Sequence, residues 1–213
     1  MVLRNEWNKR YVDFRSSTKV DPHQTIRTRD VSSSDSVIKR VVFHCTDAPS
    51  WSPERLSQFF VDERGWPICG YHYYVMAEQI YHMVGENLIT YHAAPWNSGS
   101  VAFSIDYFPT RDEKLNIAVN PDVIQNALIT AATLCLKFKV SPDMLFGHRE
   151  LKFTGWFPGN KNRILRKECP GMAIDLDDFR YKVARIMQEH LMVVVDGVFG
   201  PKSLKALEEE QWA

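Results

Sequence analysis

The feature that most constrains this chain is the run Val37-Ile38-Lys39-Arg40-Val41-Val42-Phe43-His44, which stops abruptly at the polar turn Cys45-Thr46-Asp47. Its β-branched and apolar residues are enough for a strand buried inside a sheet. A helix start follows at Ser52-Pro53-Glu54, with a capping hydroxyl, proline in the first turn and an early acid. Leu56, Phe59 and Phe60 supply its inner face, and Gly65 ends it. Tyr71 to Met76 and Gln79 to Val84 read as a hairpin about Ala77-Glu78, and Val101 to Phe108 as a further apolar strand. Asn120-Pro121-Asp122 caps a long amphipathic helix running to about Lys139. Asp175 caps a last one, with Leu176, Phe179, Val183, Ile186 and Met187 inward. Strands interleaved with helices, one hairpin among them, imply an α/β fold: a mixed β-sheet covered by helices, with a short helical C-terminal appendage.

The length of 213 residues suits one domain with a small addition. Residues 1–36 are Ser-rich and without steady period, and are expected to be a loosely structured N-terminal arm on a body spanning 37–190, followed by a tail over 191–213. Lys and Arg number 26 and so do Asp and Glu, which argues against a dedicated nucleic-acid binder. Balance hides separation, however. The segment Arg149–Glu168 holds six basic residues against two acids, and the tail from Met187 two against five. No apolar run approaches the ~20 residues of a membrane span, and the first residues lack the apolar block of a secretory signal. A soluble, monomeric protein made in the bacterial cytoplasm is expected.

Four cysteines, Cys45, Cys69, Cys135 and Cys169, stand far apart with no C-x-x-C pair, which removes zinc ribbons and thioredoxin-like motifs. Cys135 falls in an apolar helical stripe and reads as a small core residue. Cys169, in the irregular Lys167-Glu168-Cys169-Pro170-Gly171 segment beside basic residues, is the plausible thiolate. Of seven histidines, His23 and His190 are unremarkable, while His72 and His82 belong to sheet packing. His44 stands at the end of a buried strand and His148 where a buried element gives way to a loop, positions where open sheets carry functional groups. Two imidazoles and one thiolate make a catalytic zinc pattern with an open fourth position. The H-E-x-x-H signature is absent, and no P-C-x-x-C follows His148-Arg149-Glu150, which removes the deaminase reading.

These residues resemble a known family. Val41 to Ala48, Arg64-Gly65-Trp66, Gly70-Tyr71-His72-Tyr73, His92-Ala93, Asn97 to Phe103, Gly147 to Glu150 and Lys167 to Gly171 occur in the order found in zinc-dependent N-acetylmuramoyl-L-alanine amidases. That family shares the fold of the peptidoglycan-recognition proteins, and the resemblance is to its phage endolysin branch. It implies that His44, His148 and Cys169 bind Zn2+, and that Tyr71 and Lys167 are the catalytic pair. It further implies that His92, with Asn97 and Trp66, lines the substrate groove, and that peptidoglycan is the partner. The link from His148 to Cys169 is longer than the family's and includes Trp156, read as an aromatic wall for sugar or peptide.

The implied reaction is hydrolysis of the amide between N-acetylmuramic acid and the L-alanine of the stem peptide by zinc-activated water, in an endolysin that reaches the cell wall after release. The alternatives are a non-catalytic peptidoglycan-recognition module, a bacterial cell-wall remodelling amidase, or an antibacterial effector. In the tail, Asp196-Gly197-Val198-Phe199-Gly200-Pro201 resembles the core of a peptidoglycan-binding helical module, too short here to bury a core alone. It serves either as a brace or as a wall-binding element.

Overall fold

A computed structural model describes residues 2–31, 38–48, 50–115, 117–151 and 168–212. The arm opens with helix α1 (Val2–Arg10) and continues directly into strand β1 (Tyr11–Asp13). After it come β2 (Arg40–Cys45), α2 (Pro53–Gln58), β3 (Tyr73–Val75), β4 (Ile80–His82), β5 (Ser100–Ile105) and α3 (Pro109–Lys114). The second half holds α4 (Pro121–Lys137), β6 (Leu145–Gly147), α5 (Leu176–His190) and α6 (Pro201–Glu209). The strands form one sheet in the order β1-β4-β3-β5-β2-β6. Only β3 and β4 pair antiparallel, as the expected hairpin; the other neighbours are parallel. The mixed sheet covered by helices is therefore present.

The helix starts form where the capping residues stand. Asn120 Oδ1 accepts from the Asp122 amide at 2.9 Å, and Asp175 Oδ1 accepts from those of Asp177 and Asp178 at 2.9 and 3.1 Å. Such side-chain acceptors satisfy first-turn amides that have no partner inside the helix. Period-two alternation then divides the central strands between two faces. Val41, Phe43 and Cys45 of β2, with Val101, Phe103 and Ile105 of β5, join the core built with α4 and α5. His44, Ser100, Ala102 and Ser104 are buried too, and by the same alternation point to the opposite side. Tyr74, Leu56, Phe60 and Met83 form a smaller core on that side.

The arm packs on the body, and within it residues 2–13 form a helix and a strand where a loose extension was expected. Tyr11–Asp13 pairs parallel with Ile80–His82 and extends the sheet edge, and Leu3 is buried in the main core. Three residues are too few to show a period, and their pairing partner lies far along the chain. The tail packs on the body through α5. Gln188 donates to Asp196 Oδ1 and the Val198 carbonyl at 2.8 and 3.0 Å and accepts from the Gly197 amide at 2.9 Å. Gly197 has φ +80°, and a Cβ there would stand 2.1 Å from the Tyr181 ring, so only glycine fits. Leu207 of α6 reaches the main core. The tail is thus packed against α5 and the main core.

Candidate metal centre

His44 is delivered by the last turn of β2, on the face away from α4 and α5. His148 follows β6, the neighbouring parallel strand, so the two imidazoles leave the sheet at the same end. Gly147 lets α5 approach, since a Cβ there would lie 2.4 Å from Leu176 Cδ1. Glu150 holds the turn: it accepts from the Gly147 amide at 2.8 Å and takes both Arg180 nitrogens at 2.9 and 3.0 Å. The Cys169 segment is tied to the same turn by the Arg149 amide, which donates to the Cys169 carbonyl at 2.8 Å. The Arg149 guanidinium adds bonds to the carbonyls of Gly171 and Ile174.

Donor atoms of His44, His148 and Cys169 all lie within 4.8 Å of one another. Zinc–sulfur and zinc–nitrogen bonds of about 2.3 and 2.0–2.1 Å at a tetrahedral angle require sulfur and nitrogen to stand about 3.6 Å apart. His44 Nδ1 and Cys169 Sγ are 3.6 Å apart. Two imidazole nitrogens, one cysteine sulfur and a side open to a cavity fit zinc in both softness and spacing.

The cysteines separate by charge state. Burial pushes Cys69 up to about 12 and Cys135 higher still. Burial opposes the thiolate at Cys169 too, but the Cys45 thiol and the neighbouring His44 and His148 rings outweigh it and hold Cys169 well below its ordinary value. Cys45 is pushed up in return by that same contact, and its amide donates to Cys169 Sγ at 3.2 Å. A thiolate is the form a metal requires.

A cavity of about 660 Å3 opens over these groups. Tyr71, His92, His148 and Cys169 lie on it, with an aromatic wall of Trp51, Phe59, Phe60, Trp66 and Tyr91 and with Asp47, Arg64 and Glu168 as charged lining groups. Phe59 and Phe60 come from the turn Phe59–Glu63, which is wound as π-helix, the Arg64 amide reaching back to the Phe59 carbonyl at 3.0 Å. Such wide turns recur at functional sites. Trp66 stacks on Phe60 with centroids 4.9 Å apart. Burial, then the nearby thiols, raise the Tyr71 phenol well above its ordinary value, so it stays a hydroxyl donor. Its ring stands 5.1 Å from that of His44.

Two sequence-based expectations change meaning. His92 does touch the cavity, but it is buried and bonded to His44, Nδ1 to Nε2 at 3.1 Å. Burial, and after it the closeness of the His44 ring, holds its pKa well below the usual histidine value, so it is neutral. Asn97 is not among the cavity's lining residues; its Oδ1 accepts from the Ala93 amide at 2.6 Å and pins the loop that carries His92. Lys167 and Trp156 lie outside the described residues. Trp51, Tyr91 and Ser100 were not singled out as site residues from the sequence, and Phe59 was read only as part of a helix's inner face. Ser100 carried a signal, its place in the Asn97 to Phe103 segment that resembles the family.

Comparison with known proteins agrees with this geometry. The family described as N-acetylmuramoyl-L-alanine amidase matches residues 34–172. No curated protein sequence matches the chain. Among solved structures, the N-acetylmuramoyl-L-alanine amidase LysC from Clostridium intestinale is 18% identical, with a TM-score of 0.57 over 86% of this chain and 98% of that one. The Ph2119 endolysin of a Thermus scotoductus bacteriophage is 20% identical, with a TM-score of 0.58 over 82% and 99%. Drosophila peptidoglycan recognition protein SD is 18% identical, with a TM-score of 0.56 over 77% and 89%. With its matched segment covering most of the chain, its mixed sheet and its cluster of two histidines and a cysteine, this protein belongs to the N-acetylmuramoyl-L-alanine amidase family.

Proposed function

We propose that this protein is a zinc-dependent peptidoglycan hydrolase that cleaves the amide between N-acetylmuramic acid and the L-alanine of the stem peptide. The carrying observation is the convergence of His44, His148 and Cys169 donors within 4.8 Å on one side of an aromatic-walled cavity. Zinc held by these three residues supplies a Lewis acid for the amide carbonyl and a water acidic enough to react near neutrality.

The chain's own groups do the rest. Tyr71, kept protonated by burial, donates its hydroxyl hydrogen toward the oxygen on which charge develops as the amide carbonyl is attacked. The wall of Trp51, Phe59 and Trp66 offers apolar faces against which sugar or peptide can stack, and it reduces water access on that side. Arg64, with Asp47 and Glu168, places charges of both signs in the same cavity, suited to a stem peptide that carries both. Lys167 is the proposed cationic partner of Tyr71, on the resemblance alone.

The endolysins among the fold relatives support a role in phage lysis, with synthesis in the host cytoplasm and action on the wall after release. The test is incubation of the purified protein with bacterial sacculi, with and without a chelator. New L-alanine amino termini are expected in the zinc-loaded sample and not in the chelated one. Binding to sacculi without their release, at full zinc occupancy, would leave a recognition module instead.

A further inference from the structure

Hydrogen-bond polarity along one buried chain of groups carries an inference about how the metal ligand His44 is prepared. The Trp96 carbonyl can only accept, and the Ser100 hydroxyl donates to it at 2.7 Å. Having given its single hydrogen there, Ser100 Oγ can only accept from His92 Nε2, 3.0 Å away. That nitrogen therefore carries the hydrogen of neutral His92, leaving a lone pair on Nδ1. His44 Nε2 stands 3.1 Å from this lone pair and must carry a hydrogen in turn. The remaining lone pair of a neutral His44 is then on Nδ1, the atom 3.6 Å from Cys169 Sγ.

We propose that Ser100, acting through His92, is a positioning residue that sets the tautomer of His44 so that Nδ1 is the metal-binding atom. The proposal rests on the zinc reading above but not on the reaction assigned to it.

The surroundings favour one direction along this chain. Ser100 and His92 are buried, so water does not offer Ser100 a competing acceptor. The loop that supplies the Trp96 carbonyl is clamped by Arg29, whose guanidinium donates to the carbonyls of Asn97, Ser98 and Ser100 at 3.2, 3.3 and 2.7 Å. Without the Ser100 oxygen, His92 loses the acceptor for its Nε2 hydrogen. It then gains by moving that hydrogen to Nδ1 and donating to His44 Nε2. His44 answers by protonating Nδ1, which removes the lone pair a metal needs. Partners of this kind fix ring orientation and tautomer in histidine metal sites, and their loss costs about 10- to 100-fold in affinity.

Two measurements decide it. Nitrogen-15 NMR of the histidine-labelled wild type, zinc-loaded and metal-stripped, reads each ring's tautomer. Hydrogen on Nε2 of both His92 and His44 is expected, and a hydrogen on Nδ1 of His92 overturns the proposal even if every variant fails to fold. Zinc competition against a chelator is then run on Ser100→Ala and on Ser100→Thr, which keeps the hydroxyl. Ser100→Ala should weaken zinc by about 10- to 100-fold and show His92 with hydrogen on Nδ1, while Ser100→Thr recovers both readings. Unchanged zinc affinity in a folded Ser100→Ala overturns it. A wild type that binds zinc with these tautomers yet releases no L-alanine termini leaves the relay standing and removes only the amidase reaction. One that binds no zinc removes both.

Discussion

The sheet carries two buried polar clusters, one on each face, and they differ in how they end. Beneath α1, on the α4 side, Glu86 accepts from Lys137 Nζ at 2.6 Å and from the Tyr73 hydroxyl, and His82 Nδ1 is bonded to Tyr11 at 2.9 Å. Tyr73 and His82 stack with centroids 4.4 Å apart. That cluster closes around its carboxylate, which is matched by a cation and a hydroxyl donor, although His82 Nε2 keeps no hydrogen bond. Around His44 the bonds run in one direction, from His44 through His92 and Ser100 to a carbonyl, and the near end presents lone pairs converging with a thiolate. A carboxylate matched by its own cation is structural, whereas nitrogen donors that converge with a thiolate suit a bound cation. The two clusters contain similar residue types, so composition alone would not separate them.

The largest test of that contrast is Cys169→Ala. Metal chemistry of this kind supplies several kcal/mol, so hydrolysis of sacculi should fall on the order of 1,000-fold or more. Metal analysis should show zinc lost. Stoichiometric zinc in this variant would mean that the donors do not converge as a ligand set. Next in size is Tyr71→Phe, which removes one donor and leaves the three metal-binding residues untouched. A kcat loss of about 100- to 1,000-fold is expected, with zinc content unchanged. An unaltered kcat would reduce Tyr71 to part of the aromatic wall.

Much of this was legible in the chain. The β2 run, the hairpin and the caps at Asn120 and Asp175 are local signals, written within a few residues and realised where they stand. The positions of His44 and His148 at element ends, and of Cys169 in an irregular basic segment, were legible too, although their meeting rested on resemblance, because three ligands from separate loops leave no spacing rule. What could not be read is non-local. The edge strand Tyr11–Asp13 is defined by its pairing with β4 rather than by a pattern of its own. Trp51, Phe59 and Tyr91 become one wall only when three segments fold together. His92 and Asn97 show the same limit from the other side. Both belong to recognisable motifs, yet one bonds a metal-ligand candidate and the other pins a loop, and those roles depend on partners that no motif encodes.

The smallest expected effect falls on the Glu86 cluster, and its sign with pH sharpens the comparison. Burial disfavours the Glu86 carboxylate, but the charges of Lys137 and His82 and the bonds from Lys137 and Tyr73 prevail, holding it at about 2 against 4.5 for a free carboxyl. A carboxyl whose folded pKa is depressed stabilises the fold above the unfolded value, and that stability is lost as pH falls from about 4.5 toward 2. Burial likewise lowers His82 to about 4 from 6.5. The unfolded chain therefore takes up that proton first, and stability begins to erode below pH 6.5. Glu86→Gln should remove the lower of these two windows while leaving the upper one. Part of the cost is recovered because Lys137 reaches solvent, so at neutral pH a loss of about 1–3 kcal/mol is expected. Thermal unfolding followed from pH 7 to 3 reads both windows, and zinc affinity at neutral pH should match the wild type. A variant that instead lost zinc while keeping its unfolding temperature would break the separation, tying the closed cluster to the open one across the sheet.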